Sequence, residues 1–252
     1  MSSRFENQVA VVTGGSTGIG LAIARALLAE GAKRVYVTGR SARSLDTAVT
    51  SLGERAVAVT SDVAQLPDLD RLKAAIERNG DQIDALFANA GIAGNNALGA
   101  TSEADYLNIF DINVKGVFFT VQTLLPLLKD GASVVLTSSI VNNKGMENLS
   151  LYTATKAAVR SFARSWANDL KGRRIRVNAL SPGFTHTPIL TTGLKMDEQQ
   201  ISQFKEYAAG VVPAGYVAQP DEIASSALFL ASNDARYVNG IDLPVDGGYA
   251  QI

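Results

Sequence analysis

Short apolar runs alternate with longer amphipathic runs along most of the chain. Short runs that are apolar throughout are typical of strands covered on both faces, and the longer ones have helical periodicity. The predicted strands are residues 9–13, 35–38, 56–60, 85–88, 133–137, 175–180 and 241–245. The predicted helices include residues 20–30, 66–79, 103–128, 152–170 and 220–230. This alternation predicts an α/β fold with a doubly wound parallel sheet.

One stretch interrupts the alternation, from Pro182 to about Pro213. It contains Pro182-Gly183, Thr187-Pro188 and a short polar helix candidate. An excursion of this length inside a compact domain is often a functional segment that covers a site. We therefore predict a single domain over residues 1–252, with a substrate loop or lid at about 183–213.

Composition narrows the possible functions. The 252 residues carry 23 Lys and Arg against 24 Asp and Glu, so no overall positive charge favours nucleic acid or anionic membranes. The chain has no cysteine and one histidine, His186, which excludes disulfides, thiolate catalysis and a His-rich metal site. No apolar run approaches a membrane span, and residues 1–7 lack a signal-peptide core. A cytoplasmic protein without a metal is the simplest expectation.

A glycine-rich segment, residues 13–20 (TGGSTGIG), joins the first predicted strand to the first helix. Glycines let a backbone approach a pyrophosphate closely, and helix N-terminal amides then face its negative charge. The spacing is Gly-x-x-x-Gly-x-Gly instead of the usual Gly-x-Gly-x-x-Gly, and a simple tight turn is the alternative. The strand before it and the helix after it favour a dinucleotide site.

The end of the second strand predicts which dinucleotide binds. An acid at this place would accept hydrogen bonds from a ribose 2′-hydroxyl, but the chain has Arg40-Ser41-Ala42-Arg43. Guanidinium groups fork onto phosphate oxygens, so the segment favours a 2′-phosphate over two merely solvated arginines. We predict NADP(H) in preference to NAD(H).

Tyr152 and Lys156 are the candidate catalytic pair. A spacing of four places both side chains on one helix face, and an adjacent ammonium favours a phenolate. A tyrosine with a lowered pKa would exchange protons near neutral pH. An ordinary surface contact is the alternative for the pair alone.

Several runs, in this order and at these separations, resemble the short-chain dehydrogenase/reductases over essentially the full length. They are residues 13–20, Asp62-Val63, Asn89-Ala90-Gly91, Asn113, Ser139, Tyr152 to Lys156 and Pro182-Gly183. The resemblance implies a single-domain Rossmann sheet of about seven strands with helices on both faces, assembled as a homotetramer. The chain looks most similar to bacterial NADPH-dependent carbonyl reductases and secondary alcohol dehydrogenases.

The resemblance also implies residue roles. Tyr152 is expected to be the general acid and base, Ser139 to bind the substrate carbonyl oxygen, and Asn113 to hold a water that links Lys156 to solvent. Lys156 is expected to hold the nicotinamide ribose and lower the tyrosine pKa. The expected cofactor contacts are Gly14, Ser16, Thr17, Gly18, Ile19, Arg40, Asp62, Val63, Asn89, Gly91, Tyr152, Lys156, Pro182, Gly183 and Thr187. Ser138, which could serve a turn, is the structural alternative to Ser139.

The substrate pocket is expected to include Val141, Met146, Leu149, Phe184 and His186, with Ala93, Asn142 and Ile189 as further walls. Because this set is mostly apolar, a neutral ketone or secondary alcohol of moderate size is the expected substrate. A 3-oxoacyl-carrier-protein reductase shares every motif, and Arg160, Arg164, Arg173 and Arg174 would be its docking patch. A protein that senses NADP(H) without chemistry is the non-enzymatic alternative.

Overall fold

A seven-stranded parallel sheet forms the centre of the molecule. The computed structural model describes residues 3–252, and the strand order is β3-β2-β1-β4-β5-β6-β7. The strands are β1 (Val9–Val12), β2 (Arg34–Gly39), β3 (Ala56–Thr60), β4 (Ile83–Ala88), β5 (Leu128–Thr137), β6 (Arg176–Pro182) and β7 (Asp242–Val245). The predicted doubly wound sheet is confirmed.

Helices cover both faces of this sheet. They are α1 (Gly18–Ala29), α2 (Ala42–Leu52), α3 (Leu66–Arg78), α4 (Glu103–Phe110), α5 (Gly116–Leu124), α6 (Ser150–Asp169), α7 (Ile189–Thr192), α8 (Glu198–Val211) and α9 (Pro220–Ala231). Side chains of α1 and α9 fill one core, with Ile23 and Leu228 among its members. Side chains of α3, α5 and α6 fill the other, with Leu72 and Val159 among its members. Apolar side chains thus cover both faces, which explains why most strands are apolar throughout.

The predicted helix over residues 103–128 is wrong in its continuity. A π-helical turn, Asp111–Lys115, separates α4 from α5, and β5 already begins at Leu128. Contacts with distant parts of the chain favour the break, because the Asn113 side chain bonds to the backbone of Ile92 and Gly116 packs directly on Val63. A Cβ at Gly116 would lie 2.7 Å from a Val63 methyl carbon. Single π-helical turns inside helices are frequent at functional sites.

The segment predicted to interrupt the alternation contains two helices, α7 and α8. Helix α8 has 14 residues and begins with a capping box. The side chains of Asp197 and Gln200 each accept a hydrogen bond from the backbone amide of the other residue. Within residues 3–252, no helix is both long and apolar enough to cross a membrane.

A buried carboxylate lies at the amino-terminal edge of the sheet, opposite the edge where the glycine-rich segment begins. Asp81 accepts hydrogen bonds from Lys33 (3.1 Å), from Arg34 and from the Tyr36 hydroxyl (2.8 Å), and its side chain is 1 % exposed. Burial alone would raise the pKa of Asp81, but hydrogen bonds from Arg34, Tyr36 and Lys33 together lower it. This cluster ties β2 to the start of β4.

We expect Asp81→Asn to lower the free energy of unfolding by about 2–4 kcal/mol at pH 7, because it leaves donors without their charged acceptor. Because the pKa of Asp81 is lowered in the folded state, its ionised carboxylate stabilises the fold above the ordinary aspartate pKa of about 3.9. This stabilisation is lost as the pH falls through the pKa of Asp81 in the folded state. Urea titrations should therefore show the two proteins converging below about pH 4. A constant difference at every pH would contradict this assignment.

Candidate active site

The sequence motifs meet at the carboxyl edge of the sheet. The chain reverses its winding between β1 and β4, and in open α/β sheets such a switch point opens a crevice at this edge. The glycine loop follows β1, Asn89 to Gly91 follow β4, Ser138 and Ser139 follow β5, and Gly183 follows β6. Helix α6 brings Tyr152 and Lys156 to the same place.

The ammonium group of Lys156 is buried below this crevice. Its residue is 4 % exposed, and Nζ donates a 3.0 Å hydrogen bond to the carbonyl oxygen of Thr137 at the end of β5. A Cβ added to Gly91 would lie 3.4 Å from this Nζ and 3.2 Å from the Asn113 side-chain oxygen. Glycine at position 91 thus leaves open the space above the ammonium group. Burial lowers the pKa of Lys156 to about 8.

Tyr152 lies beside Lys156 on α6, and burial is the largest influence on its pKa. Nζ is 5.6 Å from the centre of the tyrosine ring. Burial raises the pKa of Tyr152 to about 12, while a hydrogen bond with Ser139 acts in the opposite direction. In the protein alone, desolvation of the phenolate keeps the pKa of Tyr152 above its ordinary value, and the expectation that Lys156 lowers it stays a prediction.

Ser138 and Ser139 have different surroundings. The Ser138 hydroxyl donates a 2.9 Å hydrogen bond to the backbone carbonyl of Lys156 and accepts one from Asn142. The Ser139 hydroxyl accepts a long 3.4 Å bond from the amide of Val141 and lies against the phenol of Tyr152. Ser138 is thus committed to the backbone, whereas Ser139 and Tyr152 place two hydroxyls side by side.

The side chain of Asn113 is fully engaged. Its oxygen accepts from the amide of Ile92 (2.8 Å), and its nitrogen donates to the carbonyl of Ile92 (2.9 Å) and to the Thr155 hydroxyl (3.1 Å). Asn113 thereby fastens the loop after β4 to the helix of Tyr152. The expected water at Asn113 stays a prediction.

Asn89 performs a similar bracing role for the glycine loop. Its amide nitrogen donates to the carbonyl oxygens of Thr13 (3.1 Å) and Gly14 (3.4 Å), and its oxygen accepts from Thr137 (3.2 Å). Gly14 has φ +64°, and a Cβ there would lie 2.8 Å from the Ala90 backbone. The loop is therefore rigid and held close to β4.

The start of α1 fits an anionic ligand. Within residues 3–252, no side chain caps this helix, and no acid lies in its first turn. Backbone amides at an uncapped N-terminus attract phosphate groups, and here the glycine loop presents them to the crevice. Gly18, with φ +53°, faces Thr187, whose Cβ would be 3.4 Å from a Cβ at position 18. These residues fit the pyrophosphate of a dinucleotide.

The other expected cofactor residues lie around the same crevice. Asp62 follows β3 and accepts from the amide of Ala64, and Val63 is buried against Gly116. Pro182 ends β6, and a Cβ on Gly183 would lie 2.6 Å from Asp246. Arg40 and Arg43 are exposed at the start of α2, and no ion pair joins either to a carboxylate within residues 3–252.

Aromatic side chains from distant segments line the entrance to the crevice. The Phe184 ring lies 5.2 Å from Phe204, 6.2 Å from Tyr207 and 4.7 Å from Tyr249, while the Lys144 ammonium sits 4.1 Å from the Tyr249 ring centre. A cavity of about 410 Å³ adjoins them, lined by Asn95, Leu194, Lys195, Met196, Gln200, Gln203, Phe204 and Tyr207. The lining combines apolar side chains with the polar side chains of Asn95, Lys195, Gln200 and Gln203.

Comparison with known proteins decides the family. The sequence model of a family described as Enoyl-(Acyl carrier protein) reductase matches residues 14–250. The chain is 39% identical to "Oxidoreductase asL5" of Sarocladium schorii, over 99% of this chain and 98% of that protein. It is 35% identical to an NADP-dependent (R)-specific alcohol dehydrogenase of Lentilactobacillus kefiri, over 99% of each. The chain belongs to the short-chain dehydrogenase/reductase family.

A solved structure of the same family agrees with the fold. The 3-ketoacyl-(acyl-carrier-protein) reductase from Brucella melitensis, complexed with NADH, superposes with a TM-score of 0.87 at 30% identity. The alignment covers 98% of this chain and 99% of that one. The chain is therefore a short-chain dehydrogenase/reductase-type oxidoreductase of the kind that uses a nicotinamide cofactor.

Two expected pocket residues of this dehydrogenase/reductase differ in their exposure. His186 is exposed, and its backbone amide donates to the carbonyl of Ala218. Asn142 is buried, and its amide nitrogen donates to the carboxylate of Asp242 (2.8 Å). Val141 is buried, whereas Met146, Leu149 and Phe184 are half-buried beside the crevice.

Sequence reasoning missed a residue that fastens the catalytic helix. Asn96 accepts from the amide of Leu151 (3.2 Å) and donates to the Ser150 hydroxyl (2.8 Å). Leu149, at the start of α6, provides no side-chain cap, so Asn96 satisfies an N-terminal amide in its place. The Asn95-Asn96 pair indicates a turn, but its partner 55 residues away in the chain has no sequence signal.

The buried ammonium of Lys156 should cost stability. A pKa lowered from 10.5 to about 8 corresponds to about 3 kcal/mol against the charged form. The folded state then binds fewer protons than the unfolded state between these values, so this cost is full below pH 8 and disappears toward pH 10.5. We expect Lys156→Met to be more stable than the wild type at pH 7, with the difference shrinking by pH 10.

Chemical denaturation at pH 7, 8.5 and 10 measures this difference. Lys171→Met, at an exposed lysine beyond the end of α6, is the matched control and should show no such trend. A pH-independent difference between Lys156→Met and the wild type would show that Lys156 is not desolvated.

Proposed function

We propose that this protein is an NADP(H)-dependent ketone reductase and secondary alcohol dehydrogenase. The observation that carries the proposal is the adjacent placement of the Ser139 and Tyr152 hydroxyls beside the buried ammonium of Lys156. Two hydroxyl donors suit one carbonyl oxygen on which negative charge develops. A bound nicotinamide cofactor would supply the hydride. The glycine loop, Gly91, Gly183 and Thr187 would hold this cofactor.

The protonation states of Tyr152 and Lys156 in the free protein favour ketone reduction. With a pKa of about 12, Tyr152 is a neutral phenol at neutral pH and can donate its proton to an alkoxide. Lys156, with a pKa of about 8, is mostly an ammonium and can stabilise the phenolate left behind. Its remaining protons face the space above Gly91, where they would contact the cofactor ribose. Ser139 fixes the oxygen that receives the proton.

The preference for NADP(H) is supported by Arg40 and Arg43. Both are exposed beside the N-terminus of α2, a region of positive potential, and within residues 3–252 neither is paired with an acid. A named NADP-dependent relative is consistent with this preference, whereas the Brucella melitensis enzyme was solved with NADH.

A free ketone suits the site better than an acyl-carrier substrate does. Of the four arginines that would dock a carrier, Arg173 is bound to Asp130 and to two carbonyls, and Arg160 is paired with Asp242. Arg173 and Arg174 also lie just before β6, at the sheet edge opposite the crevice. We propose residues 183–213 of the single domain as the lid over this substrate.

We also propose that the protein functions as a homotetramer in the cytoplasm. A half-exposed aromatic surface on α5 and α6 supports the assembly, since Trp166 stacks on Phe162 (4.7 Å) and contacts Phe118 (5.7 Å). Such an unpartnered aromatic surface favours burial against a second chain.

We expect Tyr152→Phe to lower kcat for ketone reduction by at least about 10³-fold while NADPH binds with a Kd within about twofold of wild type. Turnover is followed at the nicotinamide absorbance with a panel of ketones, secondary alcohols and an acyl-carrier thioester. Tyr106→Phe, at an exposed tyrosine of α4, is the control.

The outcomes separate the functions. Ketone turnover that depends on Tyr152 supports the proposal, whereas preference for the acyl-carrier thioester would identify a 3-oxoacyl-carrier-protein reductase. NADPH binding without turnover of any compound would indicate a sensing protein.

We expect Arg40→Ala to raise the Kd for NADPH by about 10- to 100-fold and leave the Kd for NADH unchanged, because only NADPH carries the 2′-phosphate. Fluorescence titration of both cofactors measures the difference. Arg236→Ala, at an exposed arginine far along the chain, is the control. Equal effects on both cofactors, or a wild-type preference for NADH, would contradict the assignment.

A further inference from the structure

Asp242, the first residue of β7, carries a buried carboxylate that has no part in the chemistry proposed above. Its side chain is 8 % exposed and meets donors from three other elements. The Ser181 hydroxyl of β6 donates to Oδ1 (2.5 Å), the Asn142 amide donates to Oδ2 (2.8 Å), and Arg160 of α6 lies 3.4 Å from Oδ2. A carboxylate in such a position is weak evidence for stability, since desolvation offsets most of its attraction.

The carboxylate fixes the orientation of Asn142. A carboxylate only accepts hydrogen bonds, so the amide of Asn142 must turn its NH₂ group toward Asp242. The same NH₂ group lies 2.9 Å from the Ser181 hydroxyl oxygen and 3.1 Å from the Ser138 hydroxyl oxygen. The cost of this orientation is visible, because the buried Asn142 Oδ1 has no hydrogen-bond partner within residues 3–252.

The orientation continues to the catalytic residues. Because the Ser138 hydroxyl accepts a hydrogen bond from the Asn142 NH₂ group, its own hydrogen is directed to the backbone carbonyl of Lys156, to which it donates at 2.9 Å. The backbone amide of Asn142 also donates to the carbonyl of Ser139 (3.0 Å). Asn142 therefore bonds to the turn of Ser139 through its backbone amide and, through its side chain and Ser138, to the backbone of Lys156.

We propose that Asp242 is a positioning residue that sets the direction of these hydrogen bonds and so fixes Ser139 relative to Lys156 and Tyr152. It acts through Asn142 and Ser138 and touches neither substrate nor cofactor. The inference rests on the proposed function, which supplies the reaction that the three residues perform. An amide at position 242 would present donors as readily as acceptors and leave the orientation of Asn142 undetermined.

Steady-state kinetics of Asp242→Asn, Asn142→Ala and the double variant test the proposal with the ketone that the wild type reduces best. We expect each single variant to lower kcat by tenfold or more, with KM and the NADPH Kd within twofold of wild type. The double variant should be no slower than the worse single variant, because both remove the same connection. Asp130→Asn, which breaks a different Asp–Arg pair, is the control and should keep its kcat.

Two results would overturn the proposal: a kcat within twofold of wild type, or losses in the double variant that multiply. Should Asp242→Asn not fold, Asn142→Ala, which removes no charge, decides by the same criterion. Crystal structures of wild type and a folded variant provide a readout independent of turnover. We expect residues 138–142 to be displaced, and an unchanged segment would overturn the positioning role. A wild type that reduces no carbonyl compound would overturn only the proposed function.

Discussion

Burial of the Lys156 ammonium is the constraint on which the site depends. A charged group at 4 % exposure has to be compensated locally, and here the carbonyl of Thr137 at the end of β5 provides the acceptor. Gly91 has to lack a side chain to leave space above the ammonium. Helix α6 must therefore pack at a fixed position along β4 and β5, and this position places Tyr152 beside Ser139.

Several amide side chains maintain this packing. Asn113 joins the loop after β4 to α6, Asn89 joins the glycine loop to β5, and Asn96 satisfies the first turn of α6. Each bonds to backbone groups that secondary structure leaves unpaired. Since such groups are costly to bury without partners, these asparagines stabilise the crevice while leaving Ser139 and Tyr152 available.

The sequence was sufficient to predict the parallel sheet, because strand and helix periodicities differ and most strands are apolar throughout. It also placed Tyr152, Lys156 and Ser139, whose motifs are local in the chain. It failed where long-range contacts decide. The π-helical turn around Asn113 depends on Ile92 and Val63, and the pKa of Tyr152 depends on burial that spacing does not show. Likewise, nothing near Asn142 in the chain indicates its bond to Asp242, 100 residues further on.

The entrance to the crevice was the least predictable part for the same reason. Lys144, Phe184, Tyr207 and Tyr249 come from four separate segments and meet only in the folded protein. They combine aromatic rings with one ammonium group, and the adjoining cavity adds both apolar side chains and amides. The expectation of a mostly apolar pocket for a neutral ketone stays a prediction.

We propose that this crevice transfers a hydride directly to a carbonyl carbon while Tyr152 supplies the proton. The most direct measurement uses NADPH with deuterium at the nicotinamide C4, in each of its two stereochemical forms, and a ketone that the protein reduces. We predict that one form delivers a single deuterium to the carbinol carbon of the product, detected by mass spectrometry and NMR. A product without deuterium from either form would contradict direct hydride transfer to the carbonyl carbon.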